Sequence, residues 1–339
     1  MKKKSISVIG AGSWGTALSI LLANNGYKVN LWVYENILCD KIKETRENNL
    51  FLPGFNLTED IYPTNSLNEA IGTNEIVLLV IPTKFVRSIS NQLAPLLSFN
   101  SLVINAGKGI EINSLLIIRQ ILEETLPKTC ELASLSGPTF ALEIAQGMPS
   151  AIVAAADSKK TAILIQSIFS CGHLKVFISD DPIGVEIGGA LKNIIAITTG
   201  IADGLKAGNN ARAAIITRGL VEMIRIGTAL GAKAETFSGL TGLGDMVLTC
   251  TGELSRNRQL GLRIGNGEKI HEIMKDIKTS VEGFLTVKSA YELKNKFNIQ
   301  ASIIHETYKV LHESKSPQEA LESLMNVRIN TEFEGIKGS

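Results

Sequence analysis

Residues 5–16 read Ser-Ile-Ser-Val-Ile-Gly-Ala-Gly-Ser-Trp-Gly-Thr, an apolar run entering Gly10, Gly12 and Gly15 at G-x-G-x-x-G spacing. Glycine lacks a Cβ and tolerates positive φ. This spacing therefore lets a strand turn tightly, lets the backbone approach a pyrophosphate and lets the next helix pack closely on the strand. That helix would face phosphate with its N-terminus. Ala17, Leu18, Leu21 and Leu22 follow at helical spacing, and a second apolar run covers residues 29–33. Glu35 stands twenty residues past Gly15, about where an acidic side chain meets the adenosine ribose of a bound dinucleotide. The competing possibility is a glycine-rich turn in an ordinary βα unit.

From Ser5 to about Ser179, short β-rich runs alternate with helical patterns. Runs 6–9, 29–33, 76–81, 102–105, 151–155 and 174–178 are almost continuously apolar, as strands of a parallel sheet covered on both faces should be. Residues 163–169 read as the helix joining the last two. After Asp180-Asp181-Pro182 the character changes, with Asp181 placed to cap a helix and Pro182 to occupy its first position. Long helical patterns then cover 183–202, 211–230, 287–296, 303–311 and 317–325. The expected architecture is α/β: an N-terminal Rossmann-like doubly wound parallel sheet in residues 1–181 and a C-terminal all-α-helical domain in 182–339. The polar residues 331–339 are expected to fray.

A chain of 339 residues with 45% hydrophobic side chains can bury two cores. Lys and Arg total 34 against 33 Asp and Glu, a formal charge of +1. Such a balance supplies no field that steers toward nucleic acid or an anionic membrane. Met-Lys-Lys-Lys followed by 23 uncharged residues superficially resembles a secretory signal. The glycines and Asn24-Asn25-Gly26 break that stretch into strand, turn and helix, none long enough to span a bilayer. Cys39, Cys130, Cys171 and Cys250 are scattered without metal-ligand spacing, which suggests reduced thiols in a cytoplasmic protein and no metal site.

Ligands of open α/β sheets sit beyond the carboxyl ends of the strands. Ile81-Pro82-Thr83, Asn105-Ala106-Gly107-Lys108-Gly109 and Ser136-Gly137-Pro138-Thr139 each follow an apolar run. Lys108 is placed to reach a cofactor or an anionic substrate, or it is a solvated loop lysine. N–H groups around Gly137 either hold an oxyanion or form a plain turn. Lys192 and Asn193 interrupt an apolar helix just after Gly188 and Gly189, glycines that weaken a helix and imply close approach by something. The lysine either serves a buried polar site or snorkels outward. Asp245 and Thr249, four apart on one helix face, follow a glycine-rich turn, and Ser255-Arg256-Asn257-Arg258 opens another helical run. An arginine there suits phosphate; a helix cap and a solvated face are the alternatives.

These segments fall in one order: 10–18, Lys-Gly-Ile at 108–110, Leu-Ser-Gly-Pro-Thr-Phe-Ala at 135–141, Val-Glu-Ile-Gly-Gly-Ala-Leu-Lys-Asn at 185–193, Gly-Leu-Gly-Asp-Met-Val-Leu-Thr-Cys-Thr-Gly at 242–252, Ser-Arg-Asn-Arg-Gln-Leu-Gly at 255–261 and Val-Glu-Gly at 281–283. Together they closely resemble NAD(P)-dependent glycerol-3-phosphate dehydrogenases of the bacterial type, from Ile6 to about Glu322. The resemblance implies reversible hydride transfer between NAD(P)H and dihydroxyacetone phosphate, giving sn-glycerol 3-phosphate for phospholipid synthesis. It implies that Ser13, Trp14, Tyr34, Lys108, Ala141, Arg256 and Glu282 contact the cofactor. Lys108, Gly137, Thr139, Lys192, Asp245, Ser255, Arg256 and Asn257 would contact the substrate, with Lys192 as proton donor and acceptor. It also implies a cytoplasmic homodimer.

Chemistry agrees with these roles. A carbonyl receiving hydride builds negative charge on oxygen, and a lysine ammonium both stabilises that charge and supplies the proton. Burial and the nearby Lys108 would lower the Lys192 pKa, while Asp245, read as an orienting partner, would raise it. Two departures stand out. Tyr34-Glu35 replaces a basic residue or histidine common in the family, which suits NAD over NADP and leaves the preference open. Ser280 replaces an aliphatic residue. A dehydrogenase of hydroxy acids with the same architecture, and a nucleotide-sensing protein without chemistry, are the competing functions; Arg256 and Asn257 argue for a phosphate ester, and Lys192, Lys108 and Asp245 for catalysis.

Overall fold

The computed structural model describes residues 4–276 and 281–326. Ser280, the first three residues of the lysine-rich start and the 331–339 tail lie outside the described residues. The chain divides into two compact units, Met1–Gly107 with Ile118–Pro182, and Lys108–Ile117 with Ile183–Ser339.

In the first unit the elements run β1 (Ser5–Ile9), α1 (Ser13–Asn24), β2 (Lys28–Trp32), α2 (Asn36–Thr45), β3 (Glu47–Asn48), β4 (Leu52–Asn56), β5 (Ile61–Thr64), α3 (Leu67–Ile71), β6 (Ile76–Leu79), α4 (Thr83–Leu93), β7 (Leu102–Asn105), α5 (Ile118–Thr125), β8 (Glu131–Ser136), α6 (Ala141–Ala145), β9 (Ser150–Ala156), α7 (Lys159–Phe169) and β10 (Leu174–Ser179). Eight strands form one sheet in the order β10-β9-β8-β7-β6-β1-β2-β5. Ile6, Val8, Leu31, Leu78 and Ile104 are fully buried at its centre, because helices cover both faces. Strand order reverses between β1 and β6, the position where such sheets open a crevice.

The sheet departs from the expected all-parallel arrangement at one pair. β9 runs antiparallel to β8 and parallel to β10. After β8 the chain does not cross back over a sheet face; it passes through the short α6, which packs on α1, and returns in the opposite direction. The sequence pattern also left out β5 and the β3–β4 hairpin. Tyr62-Pro63 weakens the strand signal in β5, and proline is tolerated there because β5 is an edge strand.

The second unit is helical: α8 (Pro182–Gly204), α9 (Gly208–Ala229), α10 (Asp245–Thr251), α11 (Arg256–Gly265), α12 (Ile270–Asp276), α13 (Glu282–Lys296), α14 (Ser302–His312) and α15 (Pro317–Met325). Its core gathers Leu191, Ile194 and Ile197 of α8 with Met223, Met246, Leu260, Val287 and Ile304. α8 is long and apolar enough to cross a membrane, with a mean hydropathy of 1.2, yet its apolar window is entirely buried within the protein. Residues 108–117, expected with the first domain, cluster with the second unit instead. Ile110 and Ile117 pair as an antiparallel bridge and are each 2% exposed, and Ser289 Oγ donates to the Ile110 carbonyl at 3.2 Å.

Candidate active site

In the first unit the three glycines play different parts. Gly10 has φ +118°, and a Cβ there would lie 2.3 Å from the Val80 carbonyl oxygen; a Cβ on Gly15 would lie 1.9 Å from the Gly10 oxygen. Both are demanded by the packing of α1 onto β1 and the end of β6. A Cβ on Gly12 would meet nothing within 4 Å among the described residues, so their packing does not require glycine there. Gly12 caps α1 without any side-chain hydrogen bond to the helix end, and the first N–H groups of a helix have no intrahelical partner.

Trp14 Nε1 and Thr83 Oγ1, in the first turns of α1 and α4, and Ser136 Oγ, at the end of β8, are buried polar atoms without a hydrogen-bond partner among the described residues. Buried polar groups are ordinarily satisfied, so orphans of this kind mark where a ligand supplies the missing partner. The open cradle over Gly12 and these orphans fit a dinucleotide. Tyr34 follows β2, is 71% exposed and stacks on Phe85 with ring centroids 6.5 Å apart. Glu35 caps α2 and is exposed. Ser13 Oγ donates to the Phe51 carbonyl at 2.6 Å, so the side chain is committed to the β3–β4 hairpin. Gly137, with φ +151°, lets the loop after β8 lie against Ile152, whose Cα would be 2.8 Å from a Cβ. Thr139 Oγ1 bonds back to the Gly137 carbonyl at 3.3 Å, and Ala141 opens α6.

The second unit assembles the charged residues. Lys192 lies mid-way along α8, 6% exposed, where its Nζ donates to Asp245 Oδ1 at 2.5 Å and Thr249 Oγ1 at 2.7 Å. Lys108 Nζ donates to the other oxygen, Oδ2, at 2.6 Å. Asp245 is fully buried. One carboxylate between two ammonium groups leaves a buried net positive charge, suited to an anionic ligand. Burial lowers the Lys192 pKa to about 8, with Asp245 opposing the shift and Lys108 assisting it. Gly188 explains how Asp245 arrives: a Cβ there would lie 2.6 Å from the Thr241 carbonyl oxygen, so α8 admits the π-helical turn 240–244 that leads into Asp245. What approaches at this glycine is backbone.

Ser255 caps α11 by accepting from Arg258 N at 3.2 Å, and Arg256 opens the helix, exposed and within electrostatic reach of Glu282 at the start of α13. Asn257 is more constrained than a free substrate ligand. Its Nδ2 donates to Asn193 Oδ1 at 2.9 Å, and its Oδ1 accepts from Gly283 N at 3.1 Å, tying α8, α11 and α13 together. Arg258 grips Asp203 of α8 through Nε and Nη2, while Arg212 of α9 takes the other carboxylate oxygen. The sequence reading missed Asn193 as a strut and Asp203 as a clamp. Asn193 was legible as a polar interruption beside Lys192; Asp203 carried no local signal. Thr249 was visible only as sharing a face with Asp245.

Residues 5–162 match the family model of the NAD-dependent glycerol-3-phosphate dehydrogenase N-terminus, and residues 181–322 that of its C-terminus. A glycerol-3-phosphate dehydrogenase [NAD(P)+] of Citrifermentans bemidjiense is 46% identical over 331 residues, covering 97% of this chain and 99% of that protein. The crystal structure of glycerol-3-phosphate dehydrogenase from Coxiella burnetii superposes with a TM-score of 0.93 at 36% identity, covering 96% of this chain and 99% of that one. The enzyme of the same name from Saccharomyces cerevisiae has a TM-score of 0.82 at 26% identity, covering 96% and 100%. The chain belongs to the NAD-dependent glycerol-3-phosphate dehydrogenase family.

Proposed function

We propose that this protein reduces dihydroxyacetone phosphate reversibly to sn-glycerol 3-phosphate with NADH or NADPH, in the cytoplasm and as a homodimer, supplying phospholipid synthesis. The Lys192–Asp245–Lys108 triad, with Lys192 and Asp245 buried, carries the proposal. The nicotinamide cofactor, when bound, supplies the hydride. Gly10, Gly12, Ser13, Trp14, Gly15, Tyr34, Ala141 and Glu282 would hold it, together with Lys108 and Arg256. Residues 1–181 form the cofactor domain in this scheme and 182–339 the substrate domain, with 108–117 lending Lys108 to the latter.

As the substrate carbonyl becomes an alkoxide, the Lys192 ammonium stabilises the developing charge and releases its proton to that oxygen; in the reverse direction the neutral amine takes the proton from the C2 hydroxyl. Asp245 and Thr249 fix Nζ, so little reorganisation accompanies the transfer. With a pKa of about 8, Lys192 is mostly charged at neutral pH yet gives up its proton far more readily than an ordinary lysine. Arg256 anchors the phosphate in paired N–H bonds, assisted by Lys108, Gly137, Thr139 and Ser255, while Asn257 holds the start of α11 in place.

Steady-state oxidation of NADH and NADPH with dihydroxyacetone phosphate, against a panel of 2- and 3-oxo acids, tests this assignment. Turnover is expected with the phosphorylated triose; activity confined to the oxo acids would overturn it. Exposed Glu35 beyond β2 favours NADH over NADPH by repelling the extra phosphate, and parallel KM measurements with the two cofactors decide that point. Sedimentation decides the homodimer.

A further inference from the structure

The glycine turn is held from behind by a residue outside the motif. Asn48, in β3, has no solvent exposure, and every polar atom of its side chain is engaged. Its Nδ2 donates to the Ala11 carbonyl at 2.8 Å and to Thr16 Oγ1 at 2.8 Å, and its Oδ1 accepts from Phe51 N at 3.2 Å. Thr16 Oγ1 adds a longer bond to the same Ala11 carbonyl, 3.3 Å. Phe51 is tied a second time, through its carbonyl, by Ser13 Oγ. The hairpin therefore docks on the turn through a buried polar network, and Ala11 is the residue between the first two glycines.

A trans peptide is planar, with its C=O and N–H pointing to opposite sides. Drawing the Ala11 carbonyl toward Asn48 consequently turns the Gly12 N–H away from the hairpin. Gly12, on the N–H side of this peptide, lowers the steric resistance to its rotation, so the bonds from Asn48 add to what holds the orientation. We infer that Asn48 is a positioning residue for the cofactor: it fixes the 11–12 peptide so that the Gly12 N–H and the first turn of α1 present themselves to the diphosphate. This inference rests on the assignment of the turn to NAD(P) made above.

Asn48→Asp tests it with little change of shape. The aspartate keeps the acceptor for Phe51 N and puts an acceptor against the Ala11 carbonyl, but it also buries a charge, so its Kd counts only beside that of Asn48→Ala, which adds none. Asn48→Ala removes all three bonds. Asn25→Ala is the control, since it cuts a bond of similar length, Asn25 Nδ2 to the Ile168 carbonyl at 2.9 Å, at the far end of α1. Binding of NADH to the full chain is followed by fluorescence titration below each variant's melting temperature. Both Asn48 variants are expected to raise the Kd by about tenfold or more, with the KM for dihydroxyacetone phosphate and the alkaline limb of the pH profile unmoved. The control should bind like the parent protein.

Asn48 variants that fail to fold, or that melt lower while binding NADH normally, would make the residue purely structural and overturn the inference. So would a Kd that rises no more than in the control. A parent protein that binds neither NADH nor NADPH would instead sink the cofactor assignment itself.

Discussion

Replacing Asp245 with asparagine should move the pH dependence of the reaction by a predictable amount. Lys192 sits at about 8 because burial lowers its pKa and Asp245 partly restores it. The carboxylate divides its charge between one oxygen facing Lys192 and one facing Lys108. Half a charge at 2.5 Å, in a medium of effective dielectric ~20, contributes about 3 kcal/mol. At ~1.4 kcal/mol per pKa unit, losing that half-charge alone lowers the Lys192 pKa by about two units, and losing the half on the farther oxygen adds to the drop. The sign follows from the chemistry: reduction needs the ammonium form, which is complete below the pKa and is lost as pH rises through it. The kcat/KM for dihydroxyacetone phosphate reports ionisations of the unliganded enzyme. Measured from pH 5.5 to 10 by NADH absorbance, the limb should break near 8 in the parent and at least about two units lower in Asp245→Asn. A variant that loses rate at every pH while still breaking near 8 would refute the electrostatic coupling and leave Asp245 with an orienting role alone.

Lys192→Ala should lower kcat by at least about 100-fold, the usual contribution of a positioned acid, while fluorescence titration shows NADH bound as before; near-normal turnover would remove Lys192 from the mechanism. Arg256→Ala should raise the KM for dihydroxyacetone phosphate about ten- to 100-fold, the loss of one charge-assisted contact, and an unchanged KM in steady-state assays would contradict the phosphate role. Glu222 is buried and pushed up to about 7 from 4.5, even though it accepts from Ile303 N and Ile304 N at the start of α14. The fold favours its neutral form, so stability should fall by about 3 kcal/mol as pH rises from 4.5 to 7. In urea titrations Glu222→Gln should flatten that decline, and an identical pH dependence in both proteins would exclude Glu222 as its source.

What could be read in advance followed from local chemistry. The turn at Gly10, the apolar runs of β1, β2, β6 and β7 and the start of α8 at Pro182 announce themselves within a few residues, because backbone freedom and burial on both faces act locally. Lys192 was legible for a similar reason: a lysine amid isoleucines in a glycine-bearing helix must be resolved somehow, and Asp245 with Thr249 resolves it. The reversal of β9 was not legible. Its residues Ala151–Ala155 are as apolar as a parallel strand's, and direction is set by the route of the preceding loop through α6. Nor were Asn48 and Asp203, whose partners lie far along the chain: Asn48 reaches back to Ala11, and Asp203 binds Arg258.

The glycines of α8 show how the second unit fixes its charged groups without relying on flexible side chains. Glycine inside a helix costs about 1 kcal/mol relative to alanine, so a long helix bearing Gly188, Gly200 and Gly204 is a poor helix on its own. Each of these allows another backbone to touch it. Gly188 admits Thr241, and a Cβ on Gly200 would lie 2.1 Å from the Arg258 carbonyl oxygen. Gly204 faces the Leu262 carbonyl, and in return Gly261 and Gly265 of α11 face the carbonyls of Ile197 and Ile201. α8 and α11 thus meet backbone to backbone through paired G-x-x-x-G faces, and the start of α11 is tied to α8 at two points, by Asn257–Asn193 and by Arg258–Asp203. Backbones in contact cannot slide without steric overlap, so the separation between Lys192 on one helix and Arg256 on the other is set by main-chain atoms. A fixed separation of this kind suits a short, flexible phosphorylated substrate, since remote binding energy aids catalysis only when anchor and acid keep their distance.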